Sequence, residues 1–179
     1  EELYLNGTQV TNAGLAHVST LTKLRRLGLE GTQVAGSGLQ QLSDLQDLEV
    51  LNLSGTPVSD AALLHVAELT NLRALGLRGT RVDGSGLTHL QKVPGLEILW
   101  LDQTNVSDAR LANVSGLKAL LELDLRGCKL TDASVAHLEG LTKLKLLKLD
   151  GTLITADGRD RLQQALPDCA RCHGEDGLG

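Results

Sequence analysis

The sequence predicts an α/β solenoid of seven stacked units, each made of a strand, a turn and a short helix. The first observation is a period of 24 residues in one leucine column: Leu3, Leu27, Leu51, Leu75, Leu99, Leu123 and Leu147. The second is another leucine column two residues later, which runs from Leu5 to Leu149. The third is a change of apolar spacing within each unit, from two residues to three. A fixed period of roughly 20–50 residues indicates one structural unit stacked on copies of itself.

The strand is the first element of each unit. In the third unit, Leu51 and Leu53 alternate with Val50, Asn52 and Ser54. Because successive side chains of a strand point to opposite faces, this alternation predicts one leucine-lined face and one outward face. The alternating run is short, so we expect a short strand.

A turn and a helix complete each unit. Gly55 and Thr56 follow the strand of the third unit, and Val58 points back to the interior. Ser59 then occupies the predicted N-cap of the helix. The equivalent position in other units is held by Thr11, Ser107, Thr131 and Thr155. Apolar residues at spacing three predict the buried face of a helix of roughly two turns: Leu63, Val66 and Leu69.

Composition limits the classes of function. The chain contains no Phe, no Met, one Trp and one Tyr, so its interior is built mainly from Leu and Val. Its formal net charge is −5, and it lacks the basic stripe typical of nucleic-acid binding. No run of about 18 apolar residues is present to span a membrane. Nucleotide-binding loops, zinc-protease motifs and nucleophile elbows are also absent from the sequence, so we do not expect an enzyme.

The start of the chain falls inside a unit, at Glu1-Glu2-Leu3, and the chain contains no methionine. Terminal units of a solenoid normally carry a polar cap. We therefore expect a fragment or a processed piece of a longer protein, and its oligomeric state stays open.

The repeated motif is specific. The third unit reads Leu48-x-x-Leu51-x-Leu53-x-x-Thr56-x-Val58, which resembles the leucine-rich repeat. The Val-Ser-Asp-Ala segment that begins at Val58 is similar to bacterial members of the ribonuclease-inhibitor-like branch. The resemblance implies a leucine-rich-repeat solenoid over residues 1–166, with a parallel sheet on the concave face and short helices on the convex face. It also implies a protein or peptide partner on the concave sheet. Residues 167–179 form a separate C-terminal tail.

One column departs from the family pattern. The family usually has Asn there, and its side chain bonds the neighbouring backbone turn. This sequence has Thr in most units and Cys128 in one. Because a hydroxyl forms fewer hydrogen bonds than an amide, we expect a looser ladder of bonds between units.

The outward strand positions differ between units and form three columns. The first column is Glu2, Arg26, Val50, Ala74, Ile98, Glu122 and Leu146. The second is Tyr4, Gly28, Asn52, Gly76, Trp100, Asp124 and Lys148. The third is Asn6, Glu30, Ser54, Arg78, Asp102, Arg126 and Asp150. In a solenoid, these variable positions are the ones that a partner is expected to contact.

Trp100 is the centre of the predicted binding site. The two aromatic residues of the chain, Tyr4 and Trp100, both fall in the second column, although the interior uses none. A large ring among apolar neighbours and arginines has the composition of an interface hot spot. The predicted partner-binding residues are Tyr4, Val50, Asn52, Arg78, Ile98, Trp100, Asp102, Asp124 and Arg126. The alternative is that an exposed Trp100 arises by chance or covers Gly76.

Two other groups of polar residues have alternative interpretations. Four carboxylates near the last strands could bind calcium or act as acid and base: Asp102, Glu122, Asp124 and Asp150. Arg126 and Lys148 are interleaved with them, which favours a mixed charged surface. A column of histidines on the predicted convex face has no further ligand in register: His17, His65, His89 and His137. We therefore expect no metal site.

The tail contains a Cys-x-x-Cys-His sequence formed by Cys169, Cys172 and His173. This is the attachment motif of haem c, in which the thiols form thioethers and the histidine binds iron. The glycine-rich residues that follow resemble the start of a small c-type cytochrome domain. The three residues are therefore candidate haem c attachment residues in a longer parent protein, whereas we expect no cofactor in this chain. The alternative is that Cys169 only ends the last helix.

The Cys-x-x-Cys-His motif also suggests an alternative function and bears on the location of the protein. An electron-transfer protein that uses its repeats as a docking module is the alternative to a binding scaffold. Haem c is assembled outside the cytoplasm. We therefore expect an extracytoplasmic location, in the periplasm or cell envelope, if the motif is used, and a cytoplasmic one otherwise.

Overall fold

Seven short strands form one parallel sheet. A computed structural model of the protein describes residues 1–169. The strands are β1 (Glu2–Tyr4), β2 (Arg26–Gly28), β3 (Val50–Asn52), β4 (Ala74–Gly76), β5 (Ile98–Trp100), β6 (Glu122–Asp124) and β7 (Leu146–Lys148). They pair in chain order, and equivalent residues of successive units align, as Leu75 does with Leu99. We call each strand with the segment that follows it a coil, and we number the coils after their strands.

Short helices connect each strand to the next. The α-helices are α1 (Asn12–Val18), α2 (Gly36–Leu39), α3 (Leu63–Val66), α4 (Asp108–Leu111), α5 (Val135–Leu138) and α6 (Ala156–Ala165). Turns of 3-10 helix are Gln40–Leu42, Asp60–Ala62, Leu87–Lys92, Ala112–Gly116 and Asp132–Ser134. In coils 2, 3, 5 and 6, the predicted helix of two turns is therefore a single turn of α-helix joined to a 3-10 segment. None of the described helices is long and apolar enough to cross a membrane.

The leucine columns fill one continuous core between the sheet and the helices. Leu51, Leu53 and Leu77 are fully buried. The predicted helix face joins the same core: Leu63, Val66 and Leu69. Leu3 and Leu5 are only partly buried, because coil 1 packs against a neighbour on one side only. These observations confirm the predicted α/β solenoid of seven strand-turn-helix units.

The predicted N-caps are in place, but most of them form no side-chain cap. Thr11, Ser59 and Ser107 have the extended backbone of an N-cap and no capping hydrogen bond from the side chain. Thr131 and Thr155 do accept such bonds, from the backbone N–H groups of Ala133 and Gly158. Side-chain capping therefore holds only in the last two coils among those with a predicted Ser or Thr cap.

The threonine column forms hydrogen bonds within its own coil. The Thr56 hydroxyl donates to the Leu53 carbonyl oxygen at 2.6 Å. The same bond recurs at Thr8, Thr32, Thr80, Thr104 and Thr152. Cys128 does reach the preceding coil, because its thiol donates to the Leu101 carbonyl oxygen at 3.2 Å. The threonine hydroxyls thus close the turn after six of the seven strands, which agrees with the expected looser link between coils.

Four side chains elsewhere in the unit supply links between coils. We call them the Asx ladder: Asn12, Asp60, Asp108 and Asp132. Each accepts hydrogen bonds from the segment that starts the helix of the next coil. For example, Asp60 Oδ1 accepts from the backbone N–H groups of Gly84 and Gly86 at 3.1 and 2.8 Å. The ladder satisfies backbone donors that a helix start otherwise leaves free.

The Asx ladder restricts the residue that faces it. Glycine occupies the facing position in three coils: Gly38, Gly86 and Gly158. A Cβ atom on Gly38 would lie only 2.5 Å from Asn12 Oδ1, so a larger side chain does not fit there. Opposite Asp108 the facing residue is Ser134, whose hydroxyl donates to the carboxylate. Each ladder residue therefore requires either no side chain or a small donor opposite it.

Acid is expected to destabilise the fold through the Asx ladder. Burial raises the pKa of the Asp108 carboxyl, but hydrogen bonds from Ser134 and Thr131 outweigh it and place the pKa below its ordinary value. Hydrogen bonds from Thr155 lower the pKa of Asp132 as well. Unfolded carboxyls therefore bind protons more tightly than these folded ones. The stabilisation that Asp108 and Asp132 give the folded chain is therefore complete above about pH 4 and is lost as the pH falls through their pKa values in the folded state.

Urea denaturation over a series of pH values measures this effect. The free energy of unfolding should fall as the pH is lowered below about 4, and Asp108→Asn should make that fall shallower. Asp44→Asn removes an exposed aspartate elsewhere in coil 2 and is the control. An Asp108→Asn variant with the pH dependence of the wild type contradicts a role for the ladder in acid sensitivity.

Candidate functional site

The exposed face of the sheet carries the three outward columns in register. The pairing of β4 with β5 aligns Ala74 with Ile98 and Gly76 with Trp100. The pairing of β5 with β6 aligns Trp100 with Asp124. Because adjacent strands are about 4.8 Å apart, outward side chains of these three strands can contact one another. This is the face that the sequence predicts to be concave.

Trp100 lies half-buried on this face. Its indole Nε1 donates a hydrogen bond to Glu122 Oε1 at 3.1 Å. Lys148 Nζ donates to the same oxygen at 2.8 Å and lies 3.6 Å from Asp124 Oδ2. These contacts satisfy the polar edge of the indole and fix its orientation, while part of its apolar surface stays accessible.

A cluster of charges continues from Trp100 toward the ends of the strands. We call its four members the charge cluster: Arg78, Asp102, Asp124 and Arg126. Arg78 Nε lies 3.1 Å from Asp102 Oδ2. Arg126 forms a bidentate pair with Asp124, with Nε–Oδ1 and Nη2–Oδ2 distances of 2.9 and 2.7 Å. Arg126 also lies 4.0 Å from Asp102 Oδ2, so Asp102 stands between the two arginines.

The charge cluster buries its carboxylates and exposes its cations. The side chains of Asp102 and Asp124 are 6% and 3% exposed, whereas those of Arg78 and Arg126 are 54% and 45% exposed. Burial raises the pKa of the Asp102 carboxyl, and the neighbouring Asp124 raises it further against the opposing effect of the arginines. The part of the cluster that faces solvent therefore consists mainly of guanidinium groups.

These residues surround a depression of about 210 Å³ on the sheet. We call it the Trp100 depression, and its walls are Glu30, Asn52, Ser54, Arg78, Trp100, Asp102, Glu122, Asp124, Arg126 and Lys148. Six of the predicted partner-binding residues line it: Asn52, Arg78, Trp100, Asp102, Asp124 and Arg126. The structure thus brings most of the predicted site into one place.

The other three predicted residues lie outside the depression. Ile98 and Val50 are half-buried in the first column on either side of Ala74, and they form an apolar strip on the same face. Tyr4 is 58% exposed on β1, four strands from β5 and hence about 19 Å from Trp100 along the sheet. The two aromatic residues therefore do not form one cluster.

Four lining residues are not among the predicted binding residues: Glu30, Ser54, Glu122 and Lys148. Each stands in an outward column, so its position was available from the repeat. The contact of Trp100 with Glu122, however, crosses from one strand to the next and depends on the reach and rotamer of both side chains. The repeat alone does not specify that contact.

Trp100 is not required to cover Gly76. The atoms nearest to a Cβ built on Gly76 belong to Asn52 and Ser54, with Asn52 Oδ1 at 2.5 Å and Ser54 Oγ at 3.1 Å. The space over this glycine is already occupied. Packing at Gly76 therefore gives no reason for an indole at position 100.

The charged residues near the last strands form ion pairs on a mixed surface. Glu122 pairs with Lys148 at 2.8 Å, in addition to the arginine pairs of the charge cluster. Within residues 1–169, no group of three or more His, Cys, Asp or Glu side chains is placed to hold a metal ion. The observed contacts are those of the mixed charged surface that the interleaved Arg126 and Lys148 favour.

Gln103 has a strained backbone beside the charge cluster. The turn after each strand requires a positive φ, which glycine supplies in the adjacent coils, with 61° at Gly79 and 70° at Gly127. Gln103 adopts a φ of 58° at the equivalent position and is the one non-glycine residue with positive φ in the described part of the chain. It also lines a second depression, together with Arg78 and Arg126. Strain of this kind is concentrated at functional sites in proteins.

Replacing Gln103 with glycine is expected to stabilise the fold. A left-handed backbone conformation costs a non-glycine residue about 1–2 kcal/mol. Glycine avoids this cost, but its larger conformational entropy in the unfolded chain offsets part of the gain. Gln103→Gly should therefore raise the free energy of unfolding by up to about 1 kcal/mol in urea denaturation. Gln33→Gly, at an exposed residue without positive φ, should lower it and is the control. Equal destabilisation by both substitutions contradicts strain at Gln103.

Cys169 is buried at the end of the core. It is 2% exposed and packs in the same apolar core as Leu162 and Leu166. The packed body therefore continues to Cys169, beyond the predicted boundary at residue 166. Cys172 and His173 lie outside the described residues. Haem attachment at these three residues stays a prediction, and it requires the Cys169 sulfur to become accessible.

Comparisons with known proteins identify the type of fold. No protein-family model matches the chain, and no curated protein sequence matches it either. The crystal structure of internalin C2 from Listeria monocytogenes aligns with a TM-score of 0.76 and 25% identity, over 94% of this chain and 68% of that chain. A leucine-rich-repeat protein from Leptospira interrogans aligns with a TM-score of 0.50 and 18% identity, over 93% of this chain and 59% of that chain. The ordered parallel sheet, the continuous leucine core and these alignments together show that the chain is an α/β leucine-rich-repeat solenoid.

Proposed function

We propose that the chain is an interaction scaffold that binds a protein or peptide on the concave face of its sheet, at the Trp100 depression. The observation that carries this proposal is the position of Trp100. The chain has one tryptophan, which stands on the open face of the sheet rather than in the leucine core. The likeness to leucine-rich-repeat proteins supports a scaffold in general terms.

The surroundings of Trp100 favour binding because they are already organised. The hydrogen bond to Glu122 and the ion pair between Glu122 and Lys148 hold the indole in one orientation. A partner therefore does not have to order this ring, and less free energy is lost on association. The apolar strip of Val50, Ala74 and Ile98 adds surface that excludes water around the contact.

The same contacts support binding rather than catalysis. Asp124 accepts hydrogen bonds from both Nε and Nη2 of Arg126, so its carboxylate is engaged. Asp102 is buried between Arg78 and Arg126. A general base must reach its substrate's proton directly or through one water, and these buried, paired carboxylates are poorly placed to do so.

Selection from a library of random displayed peptides tests the proposal and does not require the natural partner to be identified. Because Trp100 is the only tryptophan, its fluorescence reports on the depression directly. Peptides that bind the chain should change the intensity or wavelength of Trp100 emission. Peptides that bind tightly, leave this emission unchanged and bind Trp100→Ala as well as the wild type contradict the proposed site.

The electron-transfer alternative has no support among the described residues, because Cys169 lies in the core and the rest of the motif is outside them. A Soret band that survives acid–acetone extraction of the mature protein is the measurement that tests it. Such a band also argues for an extracytoplasmic location. Membership of the ribonuclease-inhibitor-like branch stays a prediction.

A further inference from the structure

We infer that the partner segment is an extended acidic peptide. Two of its carboxylates, two residues apart, pair with Arg78 and Arg126, and an apolar side chain on the same face of the peptide packs on Trp100. This inference rests on the proposed function and adds the chemistry of the partner.

The first argument is the exposure of the charges. Arg78 and Arg126 present about half of their side chains to solvent, whereas the carboxylates that pair with them, Asp102 and Asp124, are buried. A guanidinium group has five N–H donors. The pairs described above engage Nε of Arg78 and Nε and Nη2 of Arg126, so donors remain for an incoming anion. A carboxylate of the partner therefore meets available donors at both arginines.

The second argument is the spacing of the two arginines. The backbones of Arg78 and Arg126 are two strand spacings apart, after β4 and β6. Their charged groups converge, because Arg78 Nε and Arg126 Nη2 lie 3.1 and 4.0 Å from the same oxygen, Asp102 Oδ2, and are therefore within about 7 Å of each other. An extended chain advances about 3.3 Å per residue. Carboxylates two residues apart match this distance in a peptide that crosses the strands, and because successive side chains of an extended chain alternate, both point to the same face of the peptide. Trp100 lies on β5, between β4 and β6, so that a neighbouring apolar side chain on the same face of the peptide can pack on it.

A basic peptide fits this surface poorly. Its ammonium or guanidinium groups would approach the exposed Arg78 and Arg126 first, and like charges at close range repel. Glu122 is the most accessible carboxylate beside Trp100, and it already accepts hydrogen bonds from Trp100 and Lys148. Glu30 and Asp150 are exposed on coils 2 and 7. Asp150 also lines the second depression with Arg78 and Arg126. Glu30 and Asp150 therefore disfavour acidic residues of the peptide other than the two that pair with the arginines.

The strained turn at Gln103 is a separate observation at the same place. A glycine in its position would relieve the backbone, as in the other coils. Gln103 instead places an amide group beside Arg78 and Arg126, where they line the second depression. An uncharged donor and acceptor at this point can bind the peptide backbone without competing for its carboxylates.

The displayed-peptide selection described above tests the inference through the sequences that it recovers. We expect peptides that change Trp100 emission to carry net negative charge, with acidic residues two positions apart and an apolar residue two positions before or after them. Their affinity should fall as the ionic strength is raised, because the arginines are exposed. Neutral or basic peptides at Trp100 overturn the inference and leave the proposed function intact. Recovery of no binding peptide overturns the inference as well.

Arg78→Gln tests the arginine directly on a recovered peptide. Loss of one charge-assisted contact should weaken binding about tenfold or more. Arg73→Gln is a matched control, since Arg73 lies at the opposite end of β4, is 59% exposed and is paired with Glu97 at 2.7 Å. Arg73→Gln should leave the affinity unchanged. Equal affinities for Arg78→Gln and the wild type overturn the inference.

Arg78→Gln leaves the buried Asp102 without its nearest cation, and it could weaken the fold. The double variant Arg78→Gln/Asp102→Asn removes both charges and avoids this effect. We expect the double variant to fold, as judged by circular dichroism, and to bind the acidic peptide as weakly as the single variant. Wild-type affinity in the double variant overturns the inference. Peptides that bind Trp100→Ala unchanged and leave the emission unchanged overturn the inference and the proposed function together.

Discussion

Leu77→Ala is expected to lower the free energy of unfolding by about 2–5 kcal/mol. Leu77 is fully buried, and so are Leu53 and Leu101, its equivalents in the two neighbouring coils. Both coils also hydrogen-bond to β4 and the residue after it, since Leu53 N donates to Gly76 O and Leu77 N donates to Trp100 O. Because coils pack on both sides of Leu77, the surrounding structure cannot collapse around the shortened side chain, and a cavity remains.

Urea denaturation measures this loss through the midpoint and the slope of the transition. Leu5→Ala is the matched control, because Leu5 stands in the same column but in coil 1, where it is only partly buried. The control should lose clearly less stability than Leu77→Ala. A loss below about 1 kcal/mol at Leu77 contradicts the packing described for the core.

Trp100→Ala is expected to weaken partner binding by at least about 2 kcal/mol, or about 30-fold. The substitution removes the largest apolar surface of the depression and leaves Glu122 without its indole donor. The thermal unfolding midpoint should change little, because the indole lies on the sheet surface and no buried leucine is altered. Isothermal titration with a selected peptide and a thermal melt give the two quantities.

The control for Trp100→Ala is Leu64→Ala. Leu64 is a 45% exposed apolar residue in α3, away from the open face of the sheet. Its truncation should leave both binding and melting unchanged. Wild-type affinity in Trp100→Ala removes the site assignment, whereas a large drop in its melting temperature shows that the indole contributes to folding instead.

The architecture was predictable because it depends on periodicity. Leu51 and Leu53 alternate with outward residues, and their equivalents repeat in every unit, so strand, register and core follow from spacing alone. The glycine column after each strand also signals the positive φ of the turns. The missing glycine at Gln103 was visible in the same column, and a break of that kind is a usable signal for a special residue.

The links between coils were not predicted, because they depend on which side chain reaches which backbone group. From the sequence, links between coils were expected at the threonine column, because it replaces the asparagine of the family pattern. The Asx ladder instead uses Asp60 and its equivalents, only four positions further along. Its sequence signal is an Asn or Asp followed 26 residues later by a small residue, as in Asp60 and Gly86. That pattern becomes meaningful only once neighbouring coils are known to be in contact.

The candidate site was predictable in its position but not in its electrostatics. Column membership places Trp100, Arg78 and Asp102 on one surface. The regular spacing of the outward columns does not show which charged side chains are buried. Burial of Asp102 under two longer arginine side chains depends on side-chain length and packing across strands. The distinction between exposed cations and hidden carboxylates, on which the nature of the partner depends, therefore came from the structure.

The steric matching at the Asx ladder means that the coils are not interchangeable building blocks. Asp60 of coil 3 lies opposite Gly86 of coil 4, which has no side chain. Gly84 of coil 4 lies opposite Arg110 of coil 5, and a Cβ built on Gly84 would lie 3.0 Å from the Arg110 Cβ. Joining coil 5 directly to coil 3 would set Arg110 against Asp60, where only glycine or serine is seen. Shortening such a protein by removing coil 4 alone should therefore fail. Lengthening it by copying coils 3 and 4 as a pair should succeed, because the new junction sets Gly84 opposite Ala62, as Gly36 is in the natural chain.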